Sequence, residues 1–86
     1  MYKVIVIRSA EKELEKLPTR TVRKIFGALE DLSQNPRPVG SKKLVGQKEN
    51  LWRIRIGDYR IVYLIEDKIR IVEVRRAGHR KDIYEK

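Results

Sequence analysis

A chain of 86 residues with 21 Lys and Arg against 12 Asp and Glu carries a formal net charge of +9 and no cysteine. That length supports one domain, residues 1–86, able to bury roughly 60–65% of its unfolded surface. The composition excludes disulfides, thiolate metal sites and cysteine nucleophiles, fits a reducing cytoplasm, and holds no apolar run near the ~18–20 residues of a membrane span.

Residues 2–7 (YKVIVI) are β-branched and bounded by charge, the pattern of a buried strand. The N-terminus turns charged directly afterwards, so it reads as mature protein rather than signal peptide. Ser9 is placed to cap a helix over 10–17, with Ala10, Leu14 and Leu17 on one stripe. Pro18 breaks it and can open the next helix. There Val22, Ile25, Phe26, Leu29 and Leu32 follow an amphipathic spacing until Asn35-Pro36 stops it. Residues 36–50, with two prolines and two glycines, read as a basic loop. No internal repeat or low-complexity segment is present.

Three consecutive strands follow: 51–56 (LWRIRI), 59–66 (YRIVYLIE) and 69–76 (IRIVEVRR). Gly57-Asp58 suits a two-residue type II′ turn. In that register Ile56 faces Tyr59, and Trp52, Ile54, Ile56, Tyr59, Ile61, Tyr63 and Ile65 form one apolar face for the helices to cover. The expected fold is therefore α+β, with β-α-α-β-β-β order. Two helices pack on one face of a mostly antiparallel four-stranded sheet.

The charge is concentrated. Residues 36–63 carry Arg37, Lys42, Lys43, Lys48, Arg53, Arg55 and Arg60 against only Glu49 and Asp58. This is the footprint of a polyanion binder. The expected hairpin puts Arg55 directly opposite Arg60 and Arg53 on the same face, at a cost within the roughly 0.2–1 kcal/mol range of cross-strand pairs. Clustered guanidiniums suit a bound phosphate, whose oxygens they fork. If Asp67-Lys68 is also a two-residue turn, Arg60 faces Arg75 and Glu73 faces Val62. Lys42, Lys43, Lys48 and Arg75 are further candidates to contact nucleic acid. Gly78 permits a sharp turn that swings Arg80 and Tyr84 back toward the arginines. His79 is the sole histidine and the only side chain whose ordinary pKa lies near neutrality. There is no second histidine, cysteine or spaced carboxylate cluster for a metal, and no motif for a cofactor.

The run W-R-I-R-I-G-D-Y-R-I-V-Y, followed by G-H-R-x-x-x-Y, closely resembles the RelE/ParE superfamily of toxin–antitoxin toxins, and the likeness extends over the preceding helices. The resemblance implies a microbial-ribonuclease-like α+β fold. For the RelE branch it implies ribosome-dependent mRNA cleavage in the A site, by 2′-OH attack that leaves a 2′,3′-cyclic phosphate and a 5′-OH. It assigns catalytic positions to Arg53, Arg55, Arg60, Arg80 and Tyr84. Where the best-known RelE members carry two lysines, this chain has Arg53 and Arg55, so His79 becomes the candidate general base, although no family motif carries it. Arg75 rests on the register alone. The implied partners are mRNA, the ribosome and a cognate antitoxin whose acidic segment wraps the basic surface in a hetero-oligomer. The alternatives are a non-enzymatic ParE-like toxin that binds DNA gyrase, or a basic RNA-binding module without catalysis.

Overall fold

The computed structural model describes residues 1–83. Its elements run β1 (Lys3–Val6), α1 (Arg8–Glu15), α2 (Thr19–Gln34), β2 (Lys42–Lys43), β3 (Leu51–Ile56), β4 (Tyr59–Glu66) and β5 (Ile71–His79). The sheet order is β1-β5-β4-β3-β2; β1 runs parallel to β5, and every other pairing is antiparallel. The class and the order of the long elements match the expectation. The strand count is five instead of four, because two lysines of the basic loop pair with Trp52 and Arg53 at the sheet edge.

Both helices cover one face. Ala10 and Leu14 of α1 and Ile25, Leu29 and Leu32 of α2 pack on Ile54, Ile61, Tyr63, Ile65, Val72, Val74 and Ala77. Alternation along β3 and β4 produces this face, since side chains two apart point the same way. Two local expectations fail. Ser9 does not cap α1: Ile7 stays extended, with its amide bonded to Val74 O at 3.2 Å, and the helix begins at Arg8 with no side-chain cap. Phe26, expected in the buried stripe of α2, is 51% exposed, whereas Ile25 is fully buried. The stripe is narrower than its spacing suggests because α2 packs through Ile25, Leu29 and Leu32.

The first hairpin has the expected geometry. Gly57 takes φ +61° while Asp58 stays out of the left-handed region, the pattern of a type II′ turn, and Ile56 pairs with Tyr59. The second hairpin does not. Glu66 pairs with Ile71, so the connection has four residues, Asp67 to Arg70, with Arg70 in the left-handed region (φ 53°) and Ile69 exposed. The register then slips by one residue: Tyr63 pairs with Val74, but Val62 pairs with Arg76. Arg75 is the extra residue of a β-bulge.

A clasp closes the end of the sheet beyond this turn. Arg37 forks onto Asp67 (3.2 and 2.8 Å), Tyr2 donates to the same carboxylate at 2.6 Å, and the Arg37 guanidinium lies 5.3 Å from the Trp52 ring. Arg37, with help from Tyr2, holds the Asp67 carboxyl down at about 2.

Tyr63 is fully buried, and its hydroxyl donates to Pro36 O at 2.8 Å. Burial pushes its phenol up to about 12. An unfolded tyrosine titrates near 10, so between about pH 10 and 12 the unfolded chain sheds a proton that the folded chain keeps. Stability is therefore retained below pH 10 and falls as pH rises through that window. Tyr63→Phe should flatten this alkaline loss. At neutral pH it should cost about 1 kcal/mol, because it leaves the Pro36 carbonyl unpaired. Urea unfolding at pH 7 and pH 11 reads both effects.

Candidate functional site

The sheet face away from the helices carries the arginines. Arg55 pairs directly with Arg60, and Arg53 pairs with Val62 on the same face. Their environments differ. Arg53 is only 7% exposed, Arg60 is half-buried and Arg55 is exposed. Arg53 donates from Nη1 to Gly40 O at 3.4 Å, and all three arginines are held by contacts with their surroundings. A guanidinium keeps its proton even when buried, so Arg53 brings a fixed positive charge into a poorly hydrated place.

A second, small core lies among these arginines. Leu44, Val62 and Ile83 are buried together, with Leu51 packed against them. Ile83 reaches this position because the chain turns after β5: the Asp82 amide donates to His79 O at 2.8 Å. The turn therefore falls at 79–82 and not at Gly78, which stays in the strand. Gly78 supplies space instead. A Cβ there would meet Ile83 Cδ1 at 3.3 Å. The same turn places Arg80 at the tip of the first hairpin, where its amide donates to Asp58 O at 2.8 Å and its Nε lies 3.9 Å from the Asp58 carboxylate. Tyr84 lies outside the described residues.

The four-residue turn and the bulge together correct the expected register on this face. Arg60 faces Gly78, not Arg75, and Glu73 faces Leu64, not Val62. Arg75 forks onto Glu49 (3.2 and 2.9 Å), and its Nε donates to Glu73 at 2.5 Å. Two carboxylates thus already match its charge, which makes it a poor phosphate ligand. Lys42 pairs with Arg53 and shares its face, Lys43 pairs with Trp52 on the other, and Lys48 sits in an exposed loop.

His79 does not join the arginines. It pairs with Tyr59, one step along from the Arg60–Gly78 pair, so alternation sends it to the helix-bearing face. Its ring meets Tyr59 edge-on at 5.5 Å, and Nδ1 accepts the Lys81 amide at 3.2 Å. It lines a pocket of about 320 Å³ with Glu13, Lys16 and Asp82. Among the described residues, no group of three His, Asp or Glu side chains is arranged to hold a metal ion, and no helix is long and apolar enough to cross a membrane.

Sequence reasoning missed Ile83 and Glu13. An isolated isoleucine in the charged stretch RKDIYEK was a usable signal for the first. Glu13, one of several glutamates on a surface helix, offered none.

Residues 4–84 match the family model described as the ParE toxin of the type II toxin–antitoxin system parDE. The chain belongs to the ParE toxin family. Relatives that it matches are named RelG and RelE toxins. Toxin RelG of Mycobacterium tuberculosis is 37% identical over 84 residues, covering 96% of this chain and 95% of the relative. A chain of the archaeal RelE–RelB complex from Pyrococcus horikoshii OT3 superposes with a TM-score of 0.82 at 27% identity, covering 95% of this chain and 98% of the other. A chain of the toxin–antitoxin complex RelBE2 from M. tuberculosis does so with a TM-score of 0.81 at 30% identity, covering 91% and 96%. The family toxin described above is thus RelE-like in fold over nearly its whole length.

Proposed function

We propose that this ParE-family toxin is a ribosome-dependent mRNA endoribonuclease of the RelE kind. The observation that carries the reading is the opposed Arg55–Arg60 pair beside a nearly buried Arg53 on one sheet face. Three guanidiniums on one face offer planar forks that match the oxygens of a phosphate. In the proposed reaction the 2′-oxygen bonds to the adjacent phosphorus while the bond from phosphorus to the 5′-oxygen breaks. The products are a 2′,3′-cyclic phosphate and a 5′-OH. Arg53, Arg55 and Arg60 stabilise the charge that builds on the phosphoryl oxygens, and Arg80 approaches from the hairpin tip. The 2′-OH gives up a proton as it attacks and the departing 5′-oxygen takes one up. Arginine is a poor base, so Tyr84 is assigned this transfer, and His79, on the opposite face of the sheet, is not. Lys42 extends the phosphate track beside Arg53. A cognate antitoxin with an acidic segment, assembled with the toxin as a hetero-oligomer, would silence this face.

Primer-extension mapping of mRNA with and without ribosomes tests the proposal. Cuts within codons that appear only with ribosomes support it, and their absence rejects it. Ribosome binding should also weaken steeply with salt, as phosphate contacts require. The ParE name of the matching family favours one rival, a gyrase-directed toxin. Inhibition of plasmid supercoiling by the purified chain, with mRNA left intact, would establish that rival instead.

A further inference from the structure

The strand that completes the arginine face, β5, meets β4 in two registers. Ile71 to Val74 pair with Glu66 to Tyr63; from Arg76 onward every partner is displaced by one residue, with Arg75 as the extra one. This displacement decides which side chains reach which face. Without it, alternation would bring Ala77 opposite Arg60 and Gly78 opposite Tyr59. With it, Ala77 is buried in the helix-side core at 2% exposure, and Gly78 lies opposite Arg60. Only a residue without a Cβ leaves full room for Ile83 there, since an added Cβ would lie 3.3 Å from it.

A carboxylate of α1 meets the chain immediately after the bulge. Glu13 of α1 accepts the Ala77 amide at 3.1 Å through Oε1. The same carboxylate accepts Arg76 Nε (3.3 and 3.1 Å) and Nη2 (3.0 Å). Bulges disturb the ladder of backbone bonds, and a carboxylate is a strong acceptor for an amide at such a place.

We propose that Glu13 is a positioning residue for the arginine face: by holding the Arg75–Arg76 bulge through the Ala77 amide, it keeps Gly78 opposite Arg60. Its catalytic consequence rests on the ribonuclease reading above. Glu13 lies on α1, which covers the sheet face opposite Arg53, Arg55 and Arg60. It acts through the strand that carries Gly78 into the turn leading to Arg80 and Ile83.

The test combines two kinds of measurement on the full chain. By NMR, the parent shows a cross-strand contact between Arg60 and Gly78 and slow exchange of the Ala77 amide. Glu13→Ala should speed that exchange at least tenfold and add an Arg60–Ala77 contact. In the ribosomal cleavage assay it should lower kcat roughly 10- to 100-fold, the scale of remote mispositioning, with KM within about twofold. Glu13→Gln, which keeps an acceptor but loses the charge, should restore part of both signals. Arg76→Ala, which leaves the Ala77 contact in place, should change kcat less than threefold. A Glu13→Ala chain that keeps the Arg60–Gly78 contact and the parent exchange rate overturns the proposal, whatever its activity. If Glu13→Ala does not fold, Glu13→Gln decides on the same exchange signal: a several-fold acceleration supports the proposal and the parent rate overturns it. A parent chain that cuts no mRNA removes the ribonuclease reading alone, because the NMR signals still test the register.

Discussion

Replacing Arg60 with alanine should cut ribosomal mRNA cleavage by roughly 100- to 1000-fold, the loss seen when one preorganised donor to a developing oxyanion is removed. Arg60 sits in the central part of the face, half-buried, with Arg55 across the ladder and Gly78 on its other side. Its charge therefore acts where water is partly excluded, and partial exclusion strengthens its interaction with a phosphoryl oxygen. Stability should move far less. Arg60 belongs to neither hydrophobic core, so its truncation removes side-chain stem packing but opens no buried apolar cavity. The expected signature is a collapse in single-turnover rate with an unfolding midpoint near that of the parent. A variant that cleaves at the parent rate would take Arg60 out of the proposed site.

The largest expected loss of stability comes from α2. Ile25→Ala should cost about 2–5 kcal/mol, because the side chain is fully buried and the helix and sheet around it can collapse only partly into the space left. A domain of this size has about 5–15 kcal/mol in total, so that is a large share. At about 4–8 °C per kcal/mol, the melting midpoint should drop on the order of 10–30 °C. Phe26→Ala, one residue further, should cost well under about 1 kcal/mol, since half of that ring already faces solvent. Paired thermal melts of the two variants test whether the core face of α2 lies where it is described.

The first hairpin was legible because two signals agree there: Gly57-Asp58 demands one turn type, and the alternation on both sides demands one register. The helix face of the sheet followed from it. The second hairpin carried signals that conflict with its structure. Asp67-Lys68 resembles a tight turn and Ile69 resembles a strand residue, yet the chain spends four residues turning, with Arg70 in a conformation that nothing in its side chain announces. The bulge at Arg75 compounds this, since one inserted residue inverts every assignment after it. Arg75 falls opposite Arg60 only if Asp67-Lys68 is a two-residue turn, which the four-residue connection rules out. Gly78 resembles a turn residue but lies in β5, where it leaves room for Ile83. Arg53, Arg55 and Arg60 share one face as the sequence predicts, because all three lie on the hairpin whose turn and alternation agree. His79 is adjacent to Arg80 in sequence, but alternation along β5 sends it to the helix-bearing face.

The parallel pairing of β1 with β5 has a consequence for how the molecule comes into being. Lys3 to Val6 find their partners only at Ile71 to Val74, and β5 is also the strand between β1 and β4. Loops that must close over such separations slow folding. Until β5 is available, β1 has no strand to lie against and Glu13 has no Ala77 amide to hold. The last strand to be made is thus the one that joins the two parts of the sheet, and the arginine face is complete only once β5 has slotted between β1 and β4.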